Sequence, residues 1–195
     1  MEIAEKVEKY SIIPYNIDHI LQIRQVDQNK IRVEKVVSMT EIKQVKSGYG
    51  NSRIGLILFD DYDRLYYFNI SNRKLYSDFG GGIKQKETLF EGLVREVKEE
   101  APLWKDYLLE RVEAEYVKCH VVETLFPEKP ENNRIEVLVF VTIDISILPL
   151  FIPTKEVTSV FTVMEIQVKD WLEGTDNVLL NTGLIQFKKY LLGKL

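Results

Sequence analysis

The chain has 195 residues, 45% of them hydrophobic, which is enough for one well-buried domain and at most a small appendage. Its charged fraction of 29% excludes a disordered chain, and the net charge of −4 argues against general nucleic-acid affinity. The single cysteine, Cys119, excludes an intramolecular disulfide, and the first ten residues lack the apolar core of a secretion signal. We therefore expect a cytoplasmic protein without a membrane span.

The first quarter of the chain predicts an extension in front of the main domain. Residues 1–48 mix short apolar patches with a strand around Lys30 to Val37. The stretch from Lys46 to Ser52 is rich in turn formers and predicts a connection to the main domain, residues 49–195. Two roles stay open for the extension: it mediates homodimerisation, or it packs over one edge of the sheet.

Two segments after this connection predict a β-hairpin. The continuous apolar run from Arg53 to Phe59 is typical of a strand that is covered on both faces. Asp60 to Asp63 supplies turn residues, and Arg64 to Asn69 predicts the returning strand. Lys74 to Phe79 then leads into three glycines, which we interpret as a tight turn in front of a helix.

The next segment predicts a short amphipathic helix that begins near Thr88. Its apolar residues recur at intervals of three and four and form one stripe facing the core: Phe90, Leu93, Val94, Val97 and Ala101. Pro102 disfavours helical geometry at the residue before it, so the helix ends at Ala101. The glutamates of the helix fall largely on the other side.

The second half of the chain predicts strands followed by a helix. Arg111 to Thr124 and Arg134 to Ile145 are typical of two long strands, joined by the turn-rich loop 126–133. Glu156 to Gln167 predicts a further strand, and Leu179 to Leu192 predicts a closing helix. Strands around a central helix, with a second helix at the end, indicate a mixed α/β domain.

Three glutamates on the central helix indicate a metal site. Glu96, Glu99 and Glu100 are spaced by three and four residues, which brings their carboxylates onto neighbouring turns of one helix surface. Hard divalent cations prefer oxygen ligands of this kind. Such a site suits cleavage of a phosphate linkage.

The run from Gly81 to Leu103 resembles the Nudix box, the signature of a hydrolase superfamily. The matching positions are Gly81, Glu87, Arg95, Glu96, Val97, Glu99, Glu100 and Leu103. The one departure is Pro102, where the family has glycine, and proline also ends a helix. Six fixed polar or glycine positions would coincide by chance about once in 10⁷ placements. The resemblance implies a Nudix-type α/β/α sandwich with a mixed β-sheet.

The resemblance also implies a role for each residue of the box. The backbone at Gly81 bends so that its carbonyl faces the metal, and Glu87 pairs with Arg95 to brace the loop against the helix. Glu99 is similar to a family residue that serves as a further ligand or as the general base. The implied catalytic residues are Glu87, Arg95, Glu96 and Glu99. The implied metal-binding residues are Gly81, Glu96, Glu99 and Glu100, with Mg²⁺ as the cofactor and Mn²⁺ as an alternative.

Candidates outside the box each have a plain structural alternative. Glu156 resembles a glutamate that supplies an extra ligand or base in some Nudix enzymes, but it could equally be an exposed carboxylate at a strand edge. Glu136 is a weaker rival for that role. Tyr66 and Tyr76 are candidates for stacking on a base or sugar, although strand aromatics usually pack in the core. Lys84 is a candidate for phosphate contact, or a solvated loop lysine.

The function implied by the resemblance is a Mg²⁺-dependent hydrolase that cleaves a pyrophosphate linkage in a nucleoside-diphosphate-linked substrate. The implied partner is therefore a small nucleotide-derived molecule. Capped RNA is an alternative substrate, which the acidic charge balance disfavours. A Nudix-fold module that binds a nucleotide without hydrolysing it is the alternative function. The general base, the number of metal ions and the oligomeric state stay open.

Overall fold

The computed structural model of the protein describes residues 21–27, 30–45, 51–114 and 117–193. Residues 1–20 of the predicted extension and residues 46–50 of the predicted connection lie outside the described residues. The strands of the described residues are β1 Leu21–Asp27, β2 Lys30–Ser38, β3 Arg53–Asp60, β4 Leu65–Ser71, β5 Tyr76–Ser77, β6 Phe79–Gly82, β7 Lys118–Leu125, β8 Arg134–Ile143 and β9 Val157–Met164. The α-helices are α1 Met39–Lys43, α2 Leu89–Glu100, α3 Lys105–Glu113, α4 Glu165–Gly174 and α5 Thr182–Gly193.

The strands form one mixed sheet in the order β1-β2-β7-β8-β3-β4-β5. β3 and β8 run parallel to each other, whereas the neighbouring pairs β7–β8 and β3–β4 are antiparallel. The sheet divides along β3, because the first four residues of β3 pair with β6 and its last three pair with β4. β9 continues the sheet from β4. This division leaves the short glycine strand β6 beside the middle of the sheet.

Helices cover both faces of the sheet, each over its own hydrophobic core. α1, α2 and α3 cover the first face, where α2 packs on β3 and β6 and α3 packs on β8. α4 and α5 cover the second face, where α4 packs on β4 and β9 and α5 packs on β5 and β8. Along β3, Ile54 and Leu56 belong to the first core and Ile57 to the second, as the two-residue period of a strand requires. The predicted α/β/α sandwich with a mixed sheet is confirmed.

The described part of the predicted extension packs against the rest of the sheet. β2 is hydrogen-bonded to β7 in antiparallel register from Ile31 to Ser38. Ser38 then caps α1 with a capping box to Glu41, and Met39 and Ile42 of this helix join the first core. This packing suits a segment that covers one edge of the sheet, whereas the role in dimerisation stays a prediction.

Two helices occur where the sequence predicted strands. The prediction of a strand from Arg111 to Thr124 is wrong at its start, because α3 runs to Glu113 and β7 begins at Lys118. Leu108 and Val112 are both fully buried, and their spacing of four places them on one face of α3.

The predicted strand over Glu156 to Gln167 is likewise wrong at its end. β9 stops at Met164, and Glu165 begins α4, which buries Val168 and Leu172 at the same spacing of four. In the part of the chain that the structure describes, no helix combines the length and the apolar character needed to cross a membrane.

Candidate metal centre

The helix that carries the glutamates begins and ends where the sequence predicted. The Thr88 hydroxyl accepts a hydrogen bond from the Glu91 backbone N–H at 3.1 Å, and the Glu91 carboxylate accepts one from the Thr88 backbone N–H at 2.8 Å. This reciprocal capping box satisfies two backbone donors at the start of α2. At the other end, the Ala101 N–H bonds to the Val97 carbonyl at 2.9 Å, and Pro102 follows. The helix is therefore fixed at both ends, which fixes the direction of its glutamates.

The glycine segment in front of α2 is a strand, so the predicted tight turn is wrong. β6 pairs with β3, and no glycine among the described residues has a positive φ. The turn comes later, at Lys86, where φ is 73°. Glycine is needed at position 81 for a different reason: a Cβ there would lie 2.5 Å from the Cδ and Oε1 atoms of Glu96. Gly81 therefore makes room for the Glu96 carboxylate.

Arg95 holds the loop and the helix together, as predicted. Its Nε and Nη2 atoms donate to the two oxygens of Glu87 at 2.7 and 3.0 Å, and Nη2 also donates to the Gly82 carbonyl at 2.8 Å. Nη1 donates to Glu96 at 2.5 Å and to Glu99 at 3.3 Å. One guanidinium therefore contacts three carboxylates, and its planar fork sets their relative positions.

These contacts shift the pKa values of Glu87 and Arg95 in opposite directions. The hydrogen bond from Arg95 lowers the pKa of Glu87 to about 2. In return, the Glu87 carboxylate raises the pKa of Arg95 above its ordinary value, although burial opposes this rise. Both residues are therefore ionised at neutral pH, as a bracing ion pair must be.

Three carboxylates from two separate parts of the chain meet beside this brace. Oxygen atoms of Glu96, Glu99 and Glu156 all lie within 4.8 Å of one another. Glu96 is buried, whereas the other two are exposed. Burial raises the pKa of Glu96, and the charges of Glu99 and Glu156 raise it further, while Arg95 opposes the shift. The group thus holds more negative charge than its one guanidinium can balance.

Glu100 lies deeper, on the side of the helix that faces β6. Its side chain is buried, and its Oε2 atom has no hydrogen-bond partner among the described residues. Burial raises the pKa of Glu100 to about 9, and the charges of Asp78 and Glu96 contribute to the rise. A buried carboxylate oxygen without a partner is costly, so this atom needs a proton or a cation beside it.

The residues present fit a divalent cation. Mg²⁺ and Mn²⁺ bind carboxylate and carbonyl oxygens. The site offers three converging carboxylates, an orphaned buried oxygen on the neighbouring Glu100, and a glycine position whose open space the Glu96 carboxylate occupies. A cation among the three carboxylates would neutralise the surplus charge. We call these carboxylates, together with Glu100 and Arg95, the metal centre.

A second group of buried polar residues lies next to this centre and was not predicted. Arg53 donates from Nη1 and Nη2 to the two oxygens of Asp78 at 2.9 and 2.7 Å. Asn181, at the start of α5, donates to the same carboxylate at 2.8 Å. The fit around Asp78 is close, since a Cβ at either Gly55 or Gly183 would lie 2.1 Å from its Oδ2 atom. We call Arg53, Asp78 and Asn181 the arginine network.

A signal for the arginine network does exist in the sequence. Arg53 opens an apolar run whose residues are nearly all buried, and a charged residue there needs a partner of opposite charge. The partner is 25 residues away along the chain, so no local pattern identifies Asp78. Burial opposes the ionisation of Arg53, but the Asp78 carboxylate outweighs it and raises the pKa of Arg53.

The other candidates are not among the three converging carboxylates. Tyr66 and Tyr76 pack among the aromatic rings of the second core, where Tyr66 stacks on Phe68. Glu136 is buried opposite Arg53 in the parallel register of β3 and β8. The Lys84 side chain is exposed, and its backbone N–H donates to Glu87 at 2.8 Å. As binding residues, all four stay predictions.

No protein-family profile and no curated protein sequence matches the chain. Several solved structures resemble it in fold. One is the dihydroneopterin triphosphate pyrophosphohydrolase of E. coli, with 14% identity and a TM-score of 0.45 over 73% of this chain and 98% of that one. Another is an Ap4A hydrolase of C. elegans, with 17% identity and a TM-score of 0.44 over 73% of this chain and 99% of that one. A NUDIX hydrolase from Nitrosomonas europaea has 10% identity and a TM-score of 0.42 over 74% of this chain and 90% of that one.

Proposed function

We propose that this chain is a Nudix hydrolase that uses Mg²⁺ to cleave a pyrophosphate linkage in a small nucleotide-derived substrate. The observation that carries the proposal is the meeting of the Glu96, Glu99 and Glu156 carboxylates beside the Glu87–Arg95 pair. All of these residues except Glu156 stand at the spacing of the Nudix box. Mn²⁺ has the same ligand preference and serves as a substitute.

The two buried glutamates are proposed to hold the cation, together with the Gly81 carbonyl. Glu96 and Glu100 are both about nine-tenths buried, so their positions are fixed by packing. When bound, the cation would supply charge neutralisation for the phosphates of the substrate and would polarise the bond that breaks. Arg95 keeps Glu96 aligned through the hydrogen bond from its Nη1 atom.

The two exposed glutamates, Glu99 and Glu156, are proposed to complete the cation site on its open side and to face the attacking water. A water molecule can reach either carboxylate from solvent, because neither is covered by protein. A carboxylate within hydrogen-bond reach of that water can accept its proton as the water attacks phosphorus. The leaving phosphate then departs with the electrons of the broken P–O bond.

The test is release of phosphate or nucleotide from a substrate panel with Mg²⁺ and, separately, with EDTA. The panel contains nucleotide sugars, ADP-ribose, dinucleoside polyphosphates, nucleoside triphosphates and capped RNA. We expect turnover of a small substrate with Mg²⁺ and none with EDTA. Glu99→Gln should lower kcat about 10³-fold, since it removes a ligand or base.

The matched control is Glu110→Gln, which makes the same chemical change at an exposed position of α3. We expect it to keep activity within about twofold of the native chain. Tight nucleotide binding without any turnover would contradict the enzyme and favour the non-catalytic binding module. Sedimentation would test the predicted homodimer, and fractionation of cells would test the cytoplasmic location.

A further inference from the structure

Glu156 differs from the other glutamates of the metal centre because no regular element carries it. It ends the segment 148–156, which contains no helix or strand and leads into β9. The carboxylates of Glu96 and Glu99 lie within 4.8 Å of it, so like charges push it away whenever no cation is bound. Something other than the centre itself must therefore keep this carboxylate in place.

Asn72, in the turn between β4 and β5, makes one contact that fixes the segment 148–156. Its backbone N–H donates to the Glu156 carbonyl at 2.7 Å. Its side-chain Nδ2 atom donates to the Lys155 carbonyl at 2.9 Å. Lys74, with φ of 61°, shapes the turn, and the Ser71 N–H donates across it to the Leu75 carbonyl. A single residue thus fixes two consecutive peptide groups at the position of Glu156.

A second contact with the segment is made by Trp104, at the end of the short 3-10 turn Pro102–Trp104 that comes after α2. The indole Nε1 atom donates to the Pro149 carbonyl at 2.8 Å, and the ring packs edge-on against Phe151 at 5.5 Å between centroids. Trp104 is buried and also contacts the Phe79 ring next to the glycine strand. The start of the segment is therefore attached to the turn that follows the helix carrying Glu96 and Glu99.

We propose that Asn72 and Trp104 are positioning residues that clamp the two ends of the segment 148–156 and hold Glu156 at the metal centre. The inference rests on the proposed function, because it takes Glu156 as a residue that serves the bound cation. Neither residue touches the cation or the substrate. Each acts through the backbone that carries Glu156, and the clamp keeps the carboxylate at the centre before a cation arrives.

The test is Mn²⁺ binding to the substrate-free protein, measured by calorimetry or electron paramagnetic resonance. Asn72→Ala removes the Nδ2 donor at an exposed position, so folding should be unaffected. We expect Mn²⁺ affinity to fall about tenfold, the lower end of the range for residues that orient a metal ligand. Asn132→Ala, an exposed asparagine in the loop after β7, is the matched control and should bind Mn²⁺ with native affinity.

Trp104→Phe gives a second variant, which keeps an aromatic ring near Phe151 and deletes the Nε1 donor, together with one ring of the buried indole. We expect an affinity loss of about threefold, since one hydrogen bond of the clamp is lost, and urea denaturation measures the separate cost of the smaller side chain to stability. For both variants, kcat should fall with little change in KM, because Glu156 is proposed to act on the cation and the attacking water rather than to bind the substrate.

The decisive comparison is a double-mutant cycle with Glu156→Gln. If Asn72 acts through Glu156, the double variant binds Mn²⁺ as weakly as Glu156→Gln alone. If the two losses of affinity add instead, the residues act independently and the proposed clamp is wrong. Native Mn²⁺ affinity in Asn72→Ala would also overturn the clamp and leave the proposed function intact. Absence of Mn²⁺ binding to the native chain would overturn the proposed function itself.

Discussion

The metal centre and the arginine network are neighbouring clusters of buried charge, and they differ in balance. In the arginine network, one guanidinium faces one carboxylate, and both oxygens of Asp78 accept hydrogen bonds from Arg53. In the metal centre, Arg95 contacts three carboxylates, and two more, Glu100 and Glu156, lie beside them. A balanced and fully bonded cluster is complete as it stands, whereas a cluster with surplus negative charge requires a cation.

The two clusters therefore should respond differently to mutation. Removing a charge from the balanced arginine network should lower the free energy of unfolding and leave the affinity for the metal ion unchanged. Removing a charge from the metal centre should cost activity and relieve repulsion. Three experiments, taken from the largest expected effect to the smallest, test whether the two clusters respond independently.

The largest effect is expected for Asp78→Asn. The change removes the charged carboxylate to which both Nη atoms of buried Arg53 are hydrogen-bonded, which should lower the free energy of unfolding by about 3–5 kcal/mol. Urea denaturation measures this loss, and Asp170→Asn on the exposed face of α4 is the matched control. Mn²⁺ affinity of the folded protein should stay within about threefold. A large fall in Mn²⁺ affinity with unchanged stability would instead place Asp78 in the metal centre.

A smaller effect is expected for Gly81→Ala, which displaces the Glu96 carboxylate. The new Cβ would lie 2.5 Å from Glu96, and a shift of about 1 Å in a catalytic group can lower kcat about 10²-fold. Gly82→Ala is the matched control on the same strand, because its Cβ has no neighbour closer than 3.9 Å. Steady-state kinetics should show near-native activity for the control. Equal losses in the two variants would mean that strand geometry, not space for Glu96, explains the glycine.

The smallest effect, at most about 1.4 kcal/mol per pH unit, is expected in the pH dependence of stability without metal. The pKa of Glu100 is raised from 4.5 to about 9 in the folded protein. As pH rises from about 5 to about 9, the unfolded chain loses this proton and the folded chain keeps it, so stability falls across that window. Glu87, whose pKa is lowered to about 2, loses its contribution only below pH 4.5 and so does not interfere.

Glu100→Gln removes the titrating group, so the fall in stability with pH should become shallower. Urea denaturation in EDTA at several pH values measures the slope for both proteins. Mg²⁺ should stabilise the native chain more at pH 8 than at pH 5, because the cation competes with protons for the same carboxylates. If the free energy of unfolding changed with pH identically in the variant, Glu100 would be solvated in the folded protein and its ionisation would not lower stability.

The sequence predicted the parts of the site whose determinants are local. The start of α2 near Thr88, its end before Pro102 and the Glu87–Arg95 pair all depend on residues less than fifteen apart, and all three were predicted. At Gly81 a bend was expected, whereas the structure shows that the glycine provides clearance for a side chain. The role of its carbonyl as a metal ligand stays a prediction.

Contacts between distant residues could not be predicted in this way. The meeting of Glu156 with α2 depends on the clamp, whose members Asn72 and Trp104 are far from it in sequence. In the fold, α3 and α4 were missed because β-branched residues such as Val112 and Val168 favour strands locally. Each lies four residues from a leucine, Leu108 or Leu172, so both members of the pair lie on one face of a helix. This spacing could be recognised as helical only from the packing of that face in the core.

The burial of Trp104 has a further consequence, because the chain contains only one other tryptophan, Trp171. Trp104 lies between the glycine strand and the segment that carries Glu156, whereas Trp171 packs with Phe68 and Phe161 in the second core. The protein therefore has one tryptophan on each side of the sheet. Replacing Trp171 with phenylalanine would leave a chain whose tryptophan emission comes from Trp104 of the clamp alone.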